Sequence, residues 1–225
     1  MQHIFLDFEM HPIDRRFRED RVIIRNEIIE FGAVMLEENL SEISAFRKYV
    51  KPERMIKMAE YIKDLTGITQ AELAGADKFA DVLESFITWC KSFGEEYMIY
   101  AWSKNDLEQI KGELEIKHIE ISPEIEELMN NWEDFQVEFC ELVKAEKPMN
   151  LEKALNEAGI AFDGRMHDAL WDSRNTAQLY RETRDKEKFM KEYEAIWARI
   201  ADENEGSSFY SLGDLFDFSA LNLAS

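Results

Sequence analysis

The chain has few of the residues that interrupt or cross-link a fold: four prolines, nine glycines and two cysteines in 225 residues. No Pro/Gly-rich linker, low-complexity stretch or internal repeat divides it. Cys90 and Cys140 stand alone, with no CxxC and no metal-ligand spacing around them. They read as two reduced thiols, as in a cytoplasmic protein, rather than a disulfide framework. No window approaches the roughly 18 apolar residues of a membrane span. Asp7 and Glu9 also interrupt the apolar start that a secretion signal needs, so the expectation is a cytoplasmic protein with no membrane partner. Positive charge is scarce too, with 27 Lys and Arg against 47 Asp and Glu for a net charge of −20. Such a field repels polyanions and argues against a tight duplex binder. It leaves room for an enzyme that grips only a chain end, because bound divalent cations invert the local sign.

A hydrophobic content of 45% with 12% aromatic residues describes a globular chain, long enough for one well-buried core. His3–Glu9 reads as a short buried strand; Ile23–Leu36 and Ile43–Val50 continue as strands. Asp14–Arg25, between the first two, reads as an exposed loop or strand extension. Glu60–Leu65 is a helical turn ending at Gly67, and Asp77–Phe93 an amphipathic helix. Tyr97–Ala101 is a short apolar strand, after which Asn105 caps a helix to about Leu114. Glu124–Asn131, Phe135–Lys144, Asn150–Ala158 and a segment from His167 to about Asp185 read as helices. The order predicts an α/β fold, a mixed sheet flanked by helices on both faces. Residues 1–185 form the main domain; 186–225 add a polar helix and an apolar tail, Ser207–Ser225. The tail has two candidate resting places, a groove on its own domain or a second subunit, the latter making a homo-oligomer.

The chemistry lies in scattered carboxylates. Strand side chains alternate faces, so Asp7 and Glu9 point the same way, about 7 Å apart along the backbone. Acidic pairs at this spacing also arise by chance, but Asp7 sits within an apolar strand, where a charge is costly unless paired or metal-bound. Asp106 follows the Tyr97–Ala101 strand. It is either an acidic first-turn residue favoured by the helix dipole or a ligand group at a strand end. His167 and Asp172 are five apart, about 140° of helix rotation. His167 therefore serves best in the loop closed by Gly164, with Asp172 on the helix's inner face and Asp168 as its cap. The alternative is a surface histidine with a capping aspartate. Arg15, Arg16, Arg18, Arg21 and Arg25 form the only basic cluster; they either hold phosphates or pair with the surplus acid.

Taken in order, Asp7/Glu9, Asp106 and His167/Asp172 resemble the three motifs of the DEDDh branch of the DnaQ-like 3′–5′ exonucleases. Ile28–Val34, Leu65–Thr69 and Asp163-Gly164-Arg165 extend the resemblance over roughly residues 1–183. They are most similar to the Eri-type (enhanced-RNAi) exonucleases and their bacterial sporulation-inhibitor relatives. The resemblance implies a ribonuclease H-like fold with a five-stranded mixed sheet. It also implies that Asp7, Glu9, Asp106 and Asp172 bind two Mg²⁺ or Mn²⁺ ions while His167 deprotonates the attacking water. Leu65, Thr66 and Gly67 match the family segment beside the terminal nucleotide; Phe8, Met10 and Trp102 are further substrate-binding candidates, and Lys104 either reaches a phosphate or is simply solvated. The resemblance implies a single-stranded nucleic acid as substrate, RNA more than DNA. Met10 departs from the family, where a small or polar residue is common. The acidic Glu113–Glu127 stretch and the extension after Asp185 lie outside the shared core. Two rivals to a 3′–5′ exonuclease releasing nucleoside monophosphates stay open. One is a phosphohydrolase of small nucleotides or dinucleotides; the other is a catalytically weak regulatory protein on the same fold.

Overall fold

The computed structural model describes residues 1–94 and 96–206. Three long strands open the chain: β1 (Gln2–Pro12), then, after the short helix α1 (Asp20–Ile23), β2 (Asn26–Leu36) and β3 (Glu42–Lys51). They pair antiparallel in sequence order. α2 (Glu60–Thr66), α3 (Gln70–Ala74), β4 (Asp77–Lys78) and α4 (Phe79–Cys90) follow, then β5 (Tyr97–Ala101), α5 (Asn105–Ile116), α6 (Pro123–Asn130), β6 (Trp132–Asp134) and α7 (Phe135–Leu142). α8 (Leu151–Glu157), α9 (Ala169–Thr183) and α10 (Lys186–Gly206) complete the described chain. β5 runs parallel to β1, and β6 parallel to β5. The five-stranded mixed sheet is therefore present, and two-residue β4 extends it to the order β4-β3-β2-β1-β5-β6.

Every residue of β2 after Asn26 is buried, because helices cover both faces of the sheet. On one face Ile4, Leu6 and Phe31 pack against Phe79, Val82, Leu83 and Phe86 of α4 and Ile110 and Leu114 of α5. The spacing in α4 is that of one helical face, and each such side chain contributes about 1.5–3 kcal/mol on full burial. On the other face Phe5, Val34 and Tyr100 meet Phe135 and Phe139 of α7, Leu155 of α8 and Tyr180 of α9. α10 joins this second core through Phe189, whose ring meets Phe139 edge-on. The apolar tail Ser207–Ser225 lies outside the described residues. No described helix is long and apolar enough to cross a membrane.

Three local expectations are corrected. Residues 20–23 form α1 and β2 begins only at Asn26, so residues 23–25 are not strand; here the apolar pair Ile23-Ile24 mimics a strand start. Lys104, not Asn105, is the N-cap of α5, without a side-chain bond; the Asn105 amide instead donates to Ser103 Oγ at 3.2 Å. The loop and helix stretch 123–144 also hides β6, three residues that pair with β5.

Candidate functional site

β1 lies between antiparallel β2 and parallel β5, and its pairing with β5 ends at Leu6, so its C-terminal part borders the kind of crevice where open sheets bind ligands. Asp7 and Glu9 lie there on the face that carries α9, one and two positions of that face beyond Phe5. Asp7 opposes Gly32 of β2 and Glu9 opposes Glu30; the next pair, Met10 with Ile28, skips Ile29. Such a bulge bends the strands and re-aims side chains next to sites.

Gly32 lets α9 approach. A Cβ there would lie 2.1 Å from the carbonyl carbon of Ala169 and 2.2 Å from Leu170 N. Only a glycine allows the first turn of α9 to rest on the strand backbone, and that contact carries Asp172 to the carboxylates of β1. Asp168 caps α9 by accepting from Trp171 N at 3.3 Å. Its other oxygen accepts from Arg47 Nη2 at 2.7 Å, while Arg47 Nε donates to fully buried Glu30 at 2.6 Å. Glu30 also accepts from Ala169 N at 3.4 Å. β2, β3 and the start of α9 are thus tied by one charged bracket.

His167 precedes the cap with φ +59°, an exposed residue in the left-handed region, uncommon without glycine. Its loop is held from both sides. Buried Asn175 accepts from Asp163 N at 2.9 Å and donates to the Asp163 and Trp171 carbonyls at 2.8 and 2.7 Å. Arg165 Nη2 donates to the carbonyls of Asp64 and Leu65 at 3.2 and 3.1 Å. It lies over Gly67, where a Cβ would be 2.0 Å from Arg165 Nη1. The end of α2 and the histidine loop, 100 residues apart, are joined there.

One ligand atom each from Glu9, His167 and Asp172 lies within 4.8 Å of the others. Asp106, buried in the first turn of α5, lines a cleft with Asp7 and bears on its charge. The charges bearing on Asp7 are, in order, Asp106, Asp172, Glu9 and Glu30. Burial is the largest cause of the shift in each carboxyl, with like-charge repulsion adding to it. Asp7 is held well above the carboxylate range, Glu9 is pushed up to about 8, and Asp106 and Asp172 to about 7. Desolvation holds His167 below its ordinary value; Glu152 opposes this and Arg165 reinforces it. Among the described residues no lysine or arginine forms an ion pair with the four carboxylates. Carboxylates that repel one another, with Glu9 and Asp106 buried and Arg165 only partly offsetting the charge at Glu9, are a costly arrangement that a hard divalent cation would relieve. The residues present fit such ions.

The exonuclease family model, RNase_T, matches residues 4–180. The chain belongs to this exonuclease family. It is 33% identical over 173 residues to human ERI1 exoribonuclease 2, covering 68% of this chain and 24% of that protein. It is 31% identical over 164 residues to mouse 3′-5′ exoribonuclease 1, covering 68% of this chain and 46% of that one. The chain therefore spans less than half the length of either relative. Among solved structures, the nuclease domain of 3′hExo, a DEDDh family member bound to rAMP, matches with a TM-score of 0.69 and 25% identity. That match covers 81% of this chain and 90% of the other. DEDDh exonucleases use divalent metal ions, and the mixed sheet here is theirs.

The expected substrate contacts fare unequally. Met10 and Trp102 line a cleft of ≈ 610 Å³ with Asp7 and Asp106. Trp102 is largely buried, its Nε1 donating to Met149 O at 3.0 Å, so only its edge serves the cleft. Leu65 is 42% exposed, and Lys104 is exposed at the start of α5. Phe8 is a correction: its ring packs edge-on against Phe31 in the opposite core, leaving no side chain for a substrate, because strand alternation turns it away from Asp7 and Glu9. Thr66 is another: its hydroxyl donates to Ile62 O at 2.9 Å and accepts from Ile68 N at 3.1 Å, which occupies it in ending α2. Gly67 is capped by Arg165 and supplies the left-handed turn, φ +75°, rather than an open surface.

Sequence reasoning passed over Gly32, Glu30, Arg47, Asn175 and Arg165 as positioning residues. A lone glycine and a lone charge inside an apolar strand were the available signals for the first two. Nothing local marks Arg47 or Asn175.

Proposed function

We propose that the chain is a metal-dependent 3′–5′ exonuclease that hydrolyses phosphodiester bonds at single-stranded 3′ ends, with RNA as its substrate, releasing nucleoside 5′-monophosphates. The observation that carries this reading is the meeting of Asp7, Glu9, Asp106 and Asp172 with His167 at one end of β1. The relatives named exoribonucleases and the rAMP-bound neighbour support RNA. Asp7, Glu9, Asp106 and Asp172 would hold two ions, Mg²⁺ or Mn²⁺. Two such cations supply charge neutralisation at the phosphate and acidify water.

His167, kept neutral near pH 7 by its lowered pKa, accepts the proton of the attacking water at a ring nitrogen. Attack at the terminal phosphorus breaks the P–O3′ bond. The phosphate leaves on the 5′ oxygen of the released nucleotide, and the departing O3′ takes a proton from solvent to become the 3′ hydroxyl of the shortened strand, while His167 later returns its proton to solvent. Leu65 and Met10 flank the terminal nucleotide, and the bracket through Arg165 and Asn175 keeps the histidine loop in place while it reacts.

Mass spectrometry of the products from a short RNA tests the chemistry. Nucleoside 5′-monophosphates from the wild type and none from Asp172→Asn are expected. Nucleoside 3′-monophosphates, or equal release by the variant, would overturn the reading.

A further inference from the structure

The β1–β2 connection carries five arginines against three acids, Asp14, Glu19 and Asp20, in a chain of net charge −20. Two of those acids are already engaged. Asp14 binds Arg16 Nε at 3.0 Å, and Asp20 binds Arg54 Nε at 2.9 Å. Arg15, Arg18 and Arg25 are exposed and, among the described residues, form no ion pair. Among the described residues, the surplus acid therefore leaves these three arginines unpaired.

The connection is also fixed in place. Ile13 is buried at 2% exposure, and its amide donates to Arg25 O at 2.9 Å. Asp14 N donates to Arg54 O at 2.9 Å, and Arg54 Nη2 donates to Ile116 O at 2.6 Å. Ile24 sits on α5 where Gly112 has no side chain; a Cβ there would be 2.0 Å from Ile24 Cγ2. This anchored arm presents exposed apolar side chains beside its arginines, Val22 at 85% and Ile23 at 42% exposure. Ile23 and Arg25 line the same ≈ 610 Å³ cleft as Asp7, Asp106, Met10 and Trp102.

We infer that the arm of residues 13–25 is a docking surface for a single-stranded polynucleotide on the 5′ side of the scissile bond, with Arg15, Arg18 and Arg25 holding phosphates and Val22 and Ile23 contacting a base. This rests on the exonuclease reading for its polarity. Charge complementarity identifies the occupant: a basic, partly apolar rail on an acidic body attracts a polyanion locally while the rest of the surface discourages a long duplex. The rail also resolves how so acidic a chain holds its substrate. The site supplies the 3′ end, and the arm the sequence-independent grip.

The test compares wild type with the Arg15→Gln/Arg18→Gln/Arg25→Gln variant. Anisotropy would follow binding of a labelled 12-nucleotide RNA whose 3′-terminal linkages are phosphorothioates, and steady-state kinetics would follow cleavage of the ordinary 12-mer and of a dinucleotide. The expected result is weaker 12-mer binding and a higher KM, on the order of 10²-fold at about 0.1 M salt. The slope of log affinity against log salt should fall by about 2, given ~0.7 per single-strand phosphate contact. Dinucleotide kcat/KM should hold in the Arg15→Gln/Arg18→Gln variant, which leaves cleft-lining Arg25 in place, and the Arg→Lys triple variant should restore 12-mer binding. Unchanged 12-mer binding in the triple variant, or an equal loss on the 12-mer and the dinucleotide in Arg15→Gln/Arg18→Gln, would overturn the inference. Wild type that binds the 12-mer through these arginines yet cleaves neither substrate would refute the exonuclease reading while leaving the arm's grip established.

Discussion

Gly32→Ala is a single methyl placed where β2 meets the first turn of α9. The new Cβ would stand 2.1 Å from Ala169 C and 2.5 Å from its oxygen. Both neighbours are backbone and cannot rotate aside. Restoring ordinary contact at 3.4 Å requires about 1.3 Å of movement. The sheet is the stiffer partner, since β2 is paired on both edges, so α9 moves, and Asp172 and His167 move with it. Overpacking of this kind costs about 1–3 kcal/mol, or roughly 3–10 °C in Tm for a chain of this size. A displacement near 1 Å at a site costs about 10²-fold in rate. The prediction is thus a variant that stays folded while its kcat falls about 10²-fold, equivalent to about 2.7 kcal/mol of barrier. Thermal denaturation and single-turnover cleavage of a short RNA would be measured on the same preparation. Wild-type turnover in Gly32→Ala would refute the argument that this contact positions Asp172.

Three further outcomes are expected. In EDTA the carboxyls of Glu9, Asp106 and Asp172 titrate near 7–8 in the fold and near 4 when unfolded. Their stabilising effect is therefore complete below about pH 4 and lost as pH rises towards 8; Tm in EDTA should fall from pH 5.5 to 8, with the gain from Mn²⁺ larger at pH 8, and a rising Tm would contradict this. His167→Ala should lose about 10²–10⁴-fold in turnover and keep its Mn²⁺ affinity by calorimetry, whereas a matching loss of affinity would make His167 a ligand rather than the proton acceptor. Arg47→Ala leaves fully buried Glu30 without its ion pair. It should cost roughly 2–4 kcal/mol by urea unfolding, less than a fully buried pair because Arg47 is 39% exposed.

The long strands and α4 were legible because their apolar residues follow one period and their partners are other apolar faces. α5 and α9 were harder. α5 buries Gln109 and Glu113, since Glu113 accepts from Ile28 N at 2.6 Å and pairs with Lys117 at 3.0 Å, and such partners are invisible to a hydrophobicity pattern. α9 buries Ser173, Asn175 and Thr176 for similar reasons. The five candidate site residues were legible as a set because their chemistry is unusual even when scattered. Which neighbours face a substrate was less so: Phe8 and Thr66 sit within the right motifs, but a strand face and a helix end assign their side chains elsewhere.

The most direct test of the central claim is a denaturing-gel time course. Matched 5′-labelled single-stranded RNA and DNA would be incubated with Mg²⁺ or Mn²⁺, beside Asp7→Ala. The account predicts a ladder shortening by single nucleotides from the 3′ end, faster on RNA and absent in the variant. Intact RNA and DNA with both metals, or an equal ladder from Asp7→Ala, would contradict it.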